Sequence, residues 1–312
     1  MSGARSTLRL LSPCSNRCVF CAQRGGAALR LDLDEVTAGL RALRSQGFDE
    51  VSFTGGDPTE HEGILDAVQA ARSEGFVSVG VQTHGRRLRE GGVAADLATA
   101  GLTDVHLSLH GLGAALHDHH TGVPGSFAES AAGLTAARVA GLTVVVNTVL
   151  TRSNGRSLGE LGGWLRSRGV AGWCVSVPRV AGALRGRFDP VFPRLGVILP
   201  HALHALASAR RDGLATFVRG APGCLLGPFA SRCLPDAPRA YEPSRCEGCE
   251  GRVACCGLDP AYLTRFRGDE LSPARAPKGA AVFTGRDAAL SRMFVGEGPL
   301  VLDERWGHEG TQ

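Results

Sequence analysis

Three cysteines, Cys14, Cys18 and Cys21, sit in the run Cys-Ser-Asn-Arg-Cys-Val-Phe-Cys, directly after the first apolar stretch of the 312-residue chain. A four-iron cluster ordinarily takes one thiolate per iron. Three cysteines on one short loop therefore cap three irons and leave the fourth open to an exogenous ligand. An open coordination position separates catalytic metal sites from structural ones. With 10 cysteines in the chain, this spacing is expected by chance roughly 0.01 times against ordinary composition. The competing reading is a zinc knuckle or a disulfide pair, but zinc sites favour paired C-x2-C units that close to four ligands.

The elements that must hold such a loop alternate along the chain. Short β-branched runs predict strands at Thr7 to Leu11, Glu50 to Thr54, Ser78 to Thr83, Asp104 to Leu109, Thr143 to Leu150 and Gly172 to Val177. Amphipathic stretches predict helices at Leu33 to Ser45, His61 to Glu74, Gly92 to Ala100, Ser126 to Ala140, Ser157 to Arg168 and Pro200 to Asp212. Thr59 with Glu62, Ser126 with Glu129 and Ser157 with Glu160 have capping-box spacing. The pattern is that of repeated βα units around a parallel sheet, and six units are too few for a complete eight-stranded barrel. Active sites in such folds lie at the C-terminal ends of the strands. That draws attention to Gln82-Thr83-His84, to Ser108 and His110, and to Asn147. The group His117, Asp118, His119 and His120 reads as a solvated polar loop whose Ser126 caps the next helix. Cys174 reads as a small buried hydrophobe on the sixth strand, facing inward with Ser176.

Cys14, Cys18 and Cys21, with Phe20 beside the last of them, resemble the signature of the radical S-adenosylmethionine (SAM) superfamily. One helix and one strand later, Gly55-Gly56-Asp57-Pro58 resembles that family's Gly-Gly-Glu-Pro segment, with Asp57 in place of the usual Glu. The resemblance implies an α/β fold, a partial (β/α)6 TIM-type barrel over roughly residues 5 to 215. It implies a [4Fe-4S] cluster whose open iron binds SAM, with SAM contacts at Gly55, Gly56, Asp57, Pro58, Thr83, Ser108 and Asn147. It also implies an enzyme that cleaves SAM reductively to a 5'-deoxyadenosyl radical, which abstracts hydrogen from a substrate. An electron donor such as flavodoxin or ferredoxin follows from that chemistry.

After about Phe217 periodicity fades, Pro and Gly rise, and six cysteines appear: Cys224, Cys233, Cys246, Cys249, Cys255 and Cys256. Cys246, Cys249 and Cys255 have C-x2-C-x5-C spacing, which resembles the auxiliary-cluster extensions of radical SAM enzymes called twitch and SPASM. The resemblance implies a second, auxiliary [4Fe-4S] cluster on Cys224, Cys246, Cys249 and Cys255, with Cys233 or Cys256 able to replace one of them. Four thiolates suit zinc equally well. The expected organisation is a barrel domain over 1–216, a cysteine-rich auxiliary domain over 217–273 with a closing helix from Tyr262 to Pro273, and a loosely ordered tail over 274–312.

A formal charge of +4, with Lys278 the only lysine and no dense basic run, gives no case for nucleic acid. No stretch approaches the roughly 18 apolar residues of a membrane span, and no leader h-region opens the chain. The reading is a soluble cytoplasmic protein whose cysteines serve metal rather than disulfides. The substrate is expected to be a peptide of the ribosomally made, post-translationally modified kind. The chain begins almost at its first strand, so a peptide would dock directly or through a separate recognition protein. A small molecule of cofactor or natural-product biosynthesis is the alternative, and a non-catalytic iron-sulfur electron carrier is the alternative of another class.

Overall fold

The computed structural model describes residues 4–273 and 281–294. In chain order its elements are β1 (Arg5–Leu11), α1 (Leu33–Ser45), β2 (Glu50–Gly55), α2 (Ile64–Ser73), β3 (Ser78–Thr83), α3 (Val93–Ala100), β4 (Asp104–Ser108), α4 (Ala114–Thr121), α5 (Ser126–Val139), β5 (Thr143–Val149), α6 (Gly159–Ser167), β6 (Gly172–Ser176), α7 (Phe188–Val191), α8 (Leu195–Arg211), β7 (Ala215–Arg219), β8 (Cys233–Leu234), α9 (Pro243–Cys246), α10 (Pro260–Phe266) and α11 (Gly285–Met293). The strands form one parallel sheet in the order β1 to β8, each paired with the next in sequence. This is the partial barrel expected, with β7 and β8 added to the six strands read from the sequence. Residue 216 lies inside β7.

Alternation along each strand explains the layering. Leu8, Leu10, Val51, Phe53, Val79, Val81, Val105, Leu107, Val144, Val146, Trp173, Val175 and Val218 are buried in the main core with the apolar faces of the helices. Intervening positions turn to the concave side and are mostly polar: Arg9, Ser52, Thr54, His106, Ser108, Asn147 and Arg219. Sequence signals therefore succeed where one face must be dry.

The helix starts depart from the capping-box readings. Gly63 precedes α2, Gly125 precedes α5 and Leu158 precedes α6, none with a side-chain cap bond. A capping box forms instead at α1, where Glu35 N donates to Asp32 Oδ1 at 2.8 Å and Asp32 N to Glu35 Oε2 at 3.0 Å. The helix expected from Pro200 begins at Leu195 because Leu195, Ile198 and Leu199 bury their side chains and Tyr262 Oη accepts from Leu195 N at 2.8 Å. The short helix expected from Tyr262 runs from Pro260, capped by Asp259.

The segment beyond 274 is not all loose chain. Helix α11 buries Leu290 and Met293, with Phe294 after it, against Val145, Cys174 and Phe217. It closes the N-terminal end of the barrel, where Arg292 Nη2 pairs with Glu50 Oε1 at 2.9 Å. The same floor holds buried Arg5, whose Nε donates to Glu50 at 3.0 Å and Nη1 to Asp104 at 2.7 Å, joining β1, β2 and β4. The remaining tail expectation, over 274–280 and 295–312, lies outside the described residues.

Candidate functional site

The Cys14, Cys18 and Cys21 loop crosses the C-terminal end of the strands and is tied down along its length. Its base is closed by Ser12 N donating to Leu29 O at 2.8 Å and Leu31 N to Leu10 O at 2.9 Å. Gly56 N donates to Leu11 O at 2.7 Å and Asp57 N to Pro13 O at 3.1 Å. The glycine pair thus lets β2 touch the loop backbone, since a Cβ on Gly56 would lie 1.7 Å from Pro13 O and one on Gly55 2.2 Å from Leu11 O. On the far side, Arg17 N donates to Thr121 O at 2.7 Å, Val19 N to His120 O at 3.0 Å and Ala183 N to Cys21 O at 2.9 Å.

Asp57, the residue that stands where the family has Glu, is fully buried and knots two strand ends together. Its Oδ1 accepts from Thr59 N at 3.0 Å and its Oδ2 from His84 N at 2.8 Å. Thr83 Oγ1 lies 2.9 and 2.7 Å from the two carboxylate oxygens. The Asp57 and Thr83 side chains are therefore engaged with each other. His84 continues the knot toward the loop, with Nε2 2.9 Å from Glu60 Oε1 and 3.3 Å from Ser15 Oγ. Burial works to lower the His84 pKa, but the Asp57 charge and bonds to Cys14 and Glu60 outweigh it and raise it to about 10. Burial raises the Cys14 thiol above its ordinary value against the pull of His84. Cys18 is pushed up to about 12 by burial and by the neighbouring Cys21.

The histidines after β4 correct the solvated-loop reading. They lie on helix α4, and His117 and His120 are buried with His110 and Phe20. Phe20 meets the His110 ring edge-on at 4.7 Å, and His110 stacks on His117 at 5.6 Å. Burial lowers the pKa of all three histidines, His117 to about 4, so this layer under the loop is neutral. Asp118 rather than Ser126 caps α5, accepting from Gly125 N and Phe127 N at 2.7 Å and from Ser126 Oγ at 2.9 Å.

Below the loop, the concave face of the sheet carries the polar strand positions. Ser108 and Asn147 are Cα partners across β4 and β5, so the structure places them side by side. Cys174 does face inward, yet at the floor, 1% exposed, with burial pushing its thiol up to about 12. Arg9, His106 and Arg219 were missed by sequence reasoning. Each is a single polar residue in an apolar strand run, and only β alternation, applied also to Ala215–Arg219, could have flagged them. Burial, with Arg219 next, lowers the His106 pKa to about 3. Arg9 Nε, Ser52 Oγ, Thr54 Oγ1, His106 Nδ1 and Arg219 Nε are sealed from water without a partner among the described residues.

The C-terminal cysteines converge on a second place. Cys224, Cys233, Cys246, Cys249 and Cys255 line one cavity of about 560 Å³. Burial and the proximity of Cys255, Cys246 and Cys249 raise the Cys224 pKa. Burial, then the neighbouring Cys256 and Cys174, push the Cys233 thiol up to about 12. The segment is pinned by Ala240 and Leu258, which exchange backbone bonds of 3.0 and 2.8 Å around the Cys246 to Cys255 loop. Among the described residues no three His, Cys, Asp or Glu side chains are gathered as for a single metal ion. Cubane thiolates stand on separate irons. All-thiol donors on the first loop, and five thiols around one cavity in the second, have the chemistry such clusters take.

Residues 11–161 match the model of the radical SAM superfamily. A GTP 3',8-cyclase of Edwardsiella ictaluri is 34% identical over 173 residues, 52% of this chain and 51% of the relative. A probable GTP 3',8-cyclase of Thermococcus kodakarensis is 35% identical over 121 residues, 38% of each chain. The chain spans about half the length, or less, of these curated relatives. Among solved structures, SuiB of Streptococcus suis bound to S-adenosylmethionine superposes with a TM-score of 0.60 at 16% identity, covering 70% of this chain and 51% of that one. That likeness is one of fold.

Proposed function

We propose that this chain, which belongs to the radical SAM superfamily, is an enzyme that cleaves SAM reductively and directs the resulting radical at a small polar molecule in its barrel. The observation that carries it is the concave face beneath the cysteine loop, lined by Arg9, His106, Ser108, Asn147 and Arg219. Its buried donors and acceptors without partners represent a cost that a polar ligand relieves. The sequence likeness to GTP 3',8-cyclases supports a small-molecule substrate over the peptide reading. The peptide reading keeps one support, that SuiB has been solved bound to its precursor peptide SuiA, a relation of fold alone.

In this reading Cys14, Cys18 and Cys21 hold a [4Fe-4S] cluster, which with SAM supplies a 5'-deoxyadenosyl radical when bound. The chain's own work is to hold the loop and shape the space beneath it. Gly55 and Gly56 fix the loop against β2, while Ser108 and Asn147 offer hydrogen bonds to the cofactor from adjacent strands. Pro58 starts the turn that brings Glu60 to Ser15, whose N lies 3.0 Å from Glu60 Oε2. Helix α11 closes the far end of the barrel and keeps bulk water from that side. Cys224, Cys246, Cys249 and Cys255 are assigned to an auxiliary cluster, and a low-potential donor of the flavodoxin or ferredoxin kind supplies the electron.

Anaerobic reconstitution followed by dithionite and SAM, with 5'-deoxyadenosine read by mass spectrometry, tests the assignment. Replacing Cys14, Cys18 and Cys21 by Ala should abolish 5'-deoxyadenosine, whereas replacing Cys246 and Cys249 should lower the iron content and spare uncoupled cleavage. Cleavage that survived the first set would sink the assignment of the catalytic cluster.

A further inference from the structure

Arg219 ends β7 on the concave side of the barrel, and its charge reaches both His106 and Cys174. Its guanidinium makes no hydrogen bond or ion pair with the described residues, and its Nε is sealed from water. Asp236 is the carboxylate beside it, already claimed by two other arginines. Arg179 Nη2 bonds Asp236 Oδ1, and Arg239 Nη2 bonds Oδ2 at 2.7 Å. Arg239 Nε is also buried without a partner among the described residues. Asp259, next to Arg179 through Val180, spends its carboxylate on Val180 N and Ala261 N, both at 3.0 Å. Three guanidiniums thus share one carboxylate at the C-terminal ends of β6, β7 and β8, and the Arg219 charge is the one left over.

A half-buried guanidinium with no acceptor is costly, because its donors lose water and gain nothing. The same group is well suited to an anionic oxo group, whose two oxygens match the guanidinium fork. Asp236 also lines the cysteine cavity. An anion held at Arg219 therefore sits between the barrel lumen and the second cysteine group. We infer that Arg219, backed by Arg239, binds an anionic oxo group of the substrate, a carboxylate or a phosphoryl group. The inference rests on the proposed function only in calling the ligand a substrate.

Anion binding is readable without SAM cleavage, so its failure is distinct from failure of the radical reading. Isothermal titration at fixed ionic strength would use inorganic pyrophosphate in one arm and succinate in the other. Wild-type protein should bind at least one of them, and the tighter arm names the phosphoryl or the carboxylate source. Arg219→Gln should weaken binding by about tenfold or more, Arg219→Lys should restore part of it, and Arg211→Gln at the exposed end of α8 should leave it unchanged. Should Arg219→Gln not fold, phenylglyoxal modification of the wild type, read by mass spectrometry, supplies the second measurement, with the bound anion expected to slow modification at Arg219. Neither anion binding, equal binding by Arg219→Gln, or no protection of Arg219 would overturn the inference.

Discussion

Gly56→Ala is the sharpest test of how the cysteine loop is held. Its added Cβ would lie 1.7 Å from Pro13 O and 2.4 Å from Ser12 O, both backbone atoms, where real Cβ atoms keep at least 3.0 Å. The two segments must part by about 1.3 Å, and no flexible side-chain end is there to yield. That motion pulls on the Gly56 N to Leu11 O bond of 2.7 Å and the Asp57 N to Pro13 O bond of 3.1 Å. Overpacking of this kind costs about 1–3 kcal/mol, and two weakened hydrogen bonds add about 1 kcal/mol each. A loss of about 3–5 kcal/mol should lower the melting temperature by about 6–10 °C at roughly 2 °C per kcal/mol. Because Cys14 follows Pro13 directly, the proposed two-cluster reading predicts that the variant also loses about four of roughly eight irons after anaerobic reconstitution, leaving those of the proposed second site. Scanning calorimetry and iron counting check both numbers. A Gly56→Ala protein with unchanged melting and full iron would refute the argument that close backbone contact positions the cysteines.

The remaining expectations rest on other parts of the fold. Gly163 on the exposed side of α6 has nothing among the described residues within 4 Å of an added Cβ, so Gly163→Ala should stabilise by about 0.5–1 kcal/mol, read as a higher urea midpoint. Arg5→Met leaves Glu50 and Asp104 as buried charges without their common partner and should cost about 3–5 kcal/mol in denaturant titration. Burial opposes the Asp104 charge, yet Arg5, Thr103 and Ser78 hold its pKa below the ordinary 3.8. Its contribution to stability is therefore present above pH 3.8 and lost as pH falls through the lower folded value; that acid-side loss should flatten in Arg5→Met. Asp118→Ala removes the bonds to Gly125 N, Ser126 Oγ and Phe127 N and should cost about 1–2 kcal/mol of stability, seen as a lower urea midpoint.

The sequence by itself determined the alternation of strands and helices and the three-cysteine loop. Both are written in short-range spacing: a period of two or of 3.6 set by which face is dry, and three thiols within eight residues. It also marked Gly55 and Gly56, but not why glycine is required there. That reason is a backbone 43 residues upstream, Pro13 against Gly56, which only the closed sheet brings to contact. The histidines of α4 read as a polar loop because single-residue polarity says nothing of shelter, and packing under Phe20 made them a buried neutral layer. Strands β7 and β8 and the plug α11 were not marked by periodicity. β8 is two residues long, and Phe217, Leu290 and Phe294 find their apolar partners across the barrel rather than along the chain. The tertiary structure alone set two arginines on Asp236 and left the charge of Arg219 unmatched among the described residues, since charge balance depends on distances between strand ends that no local pattern records.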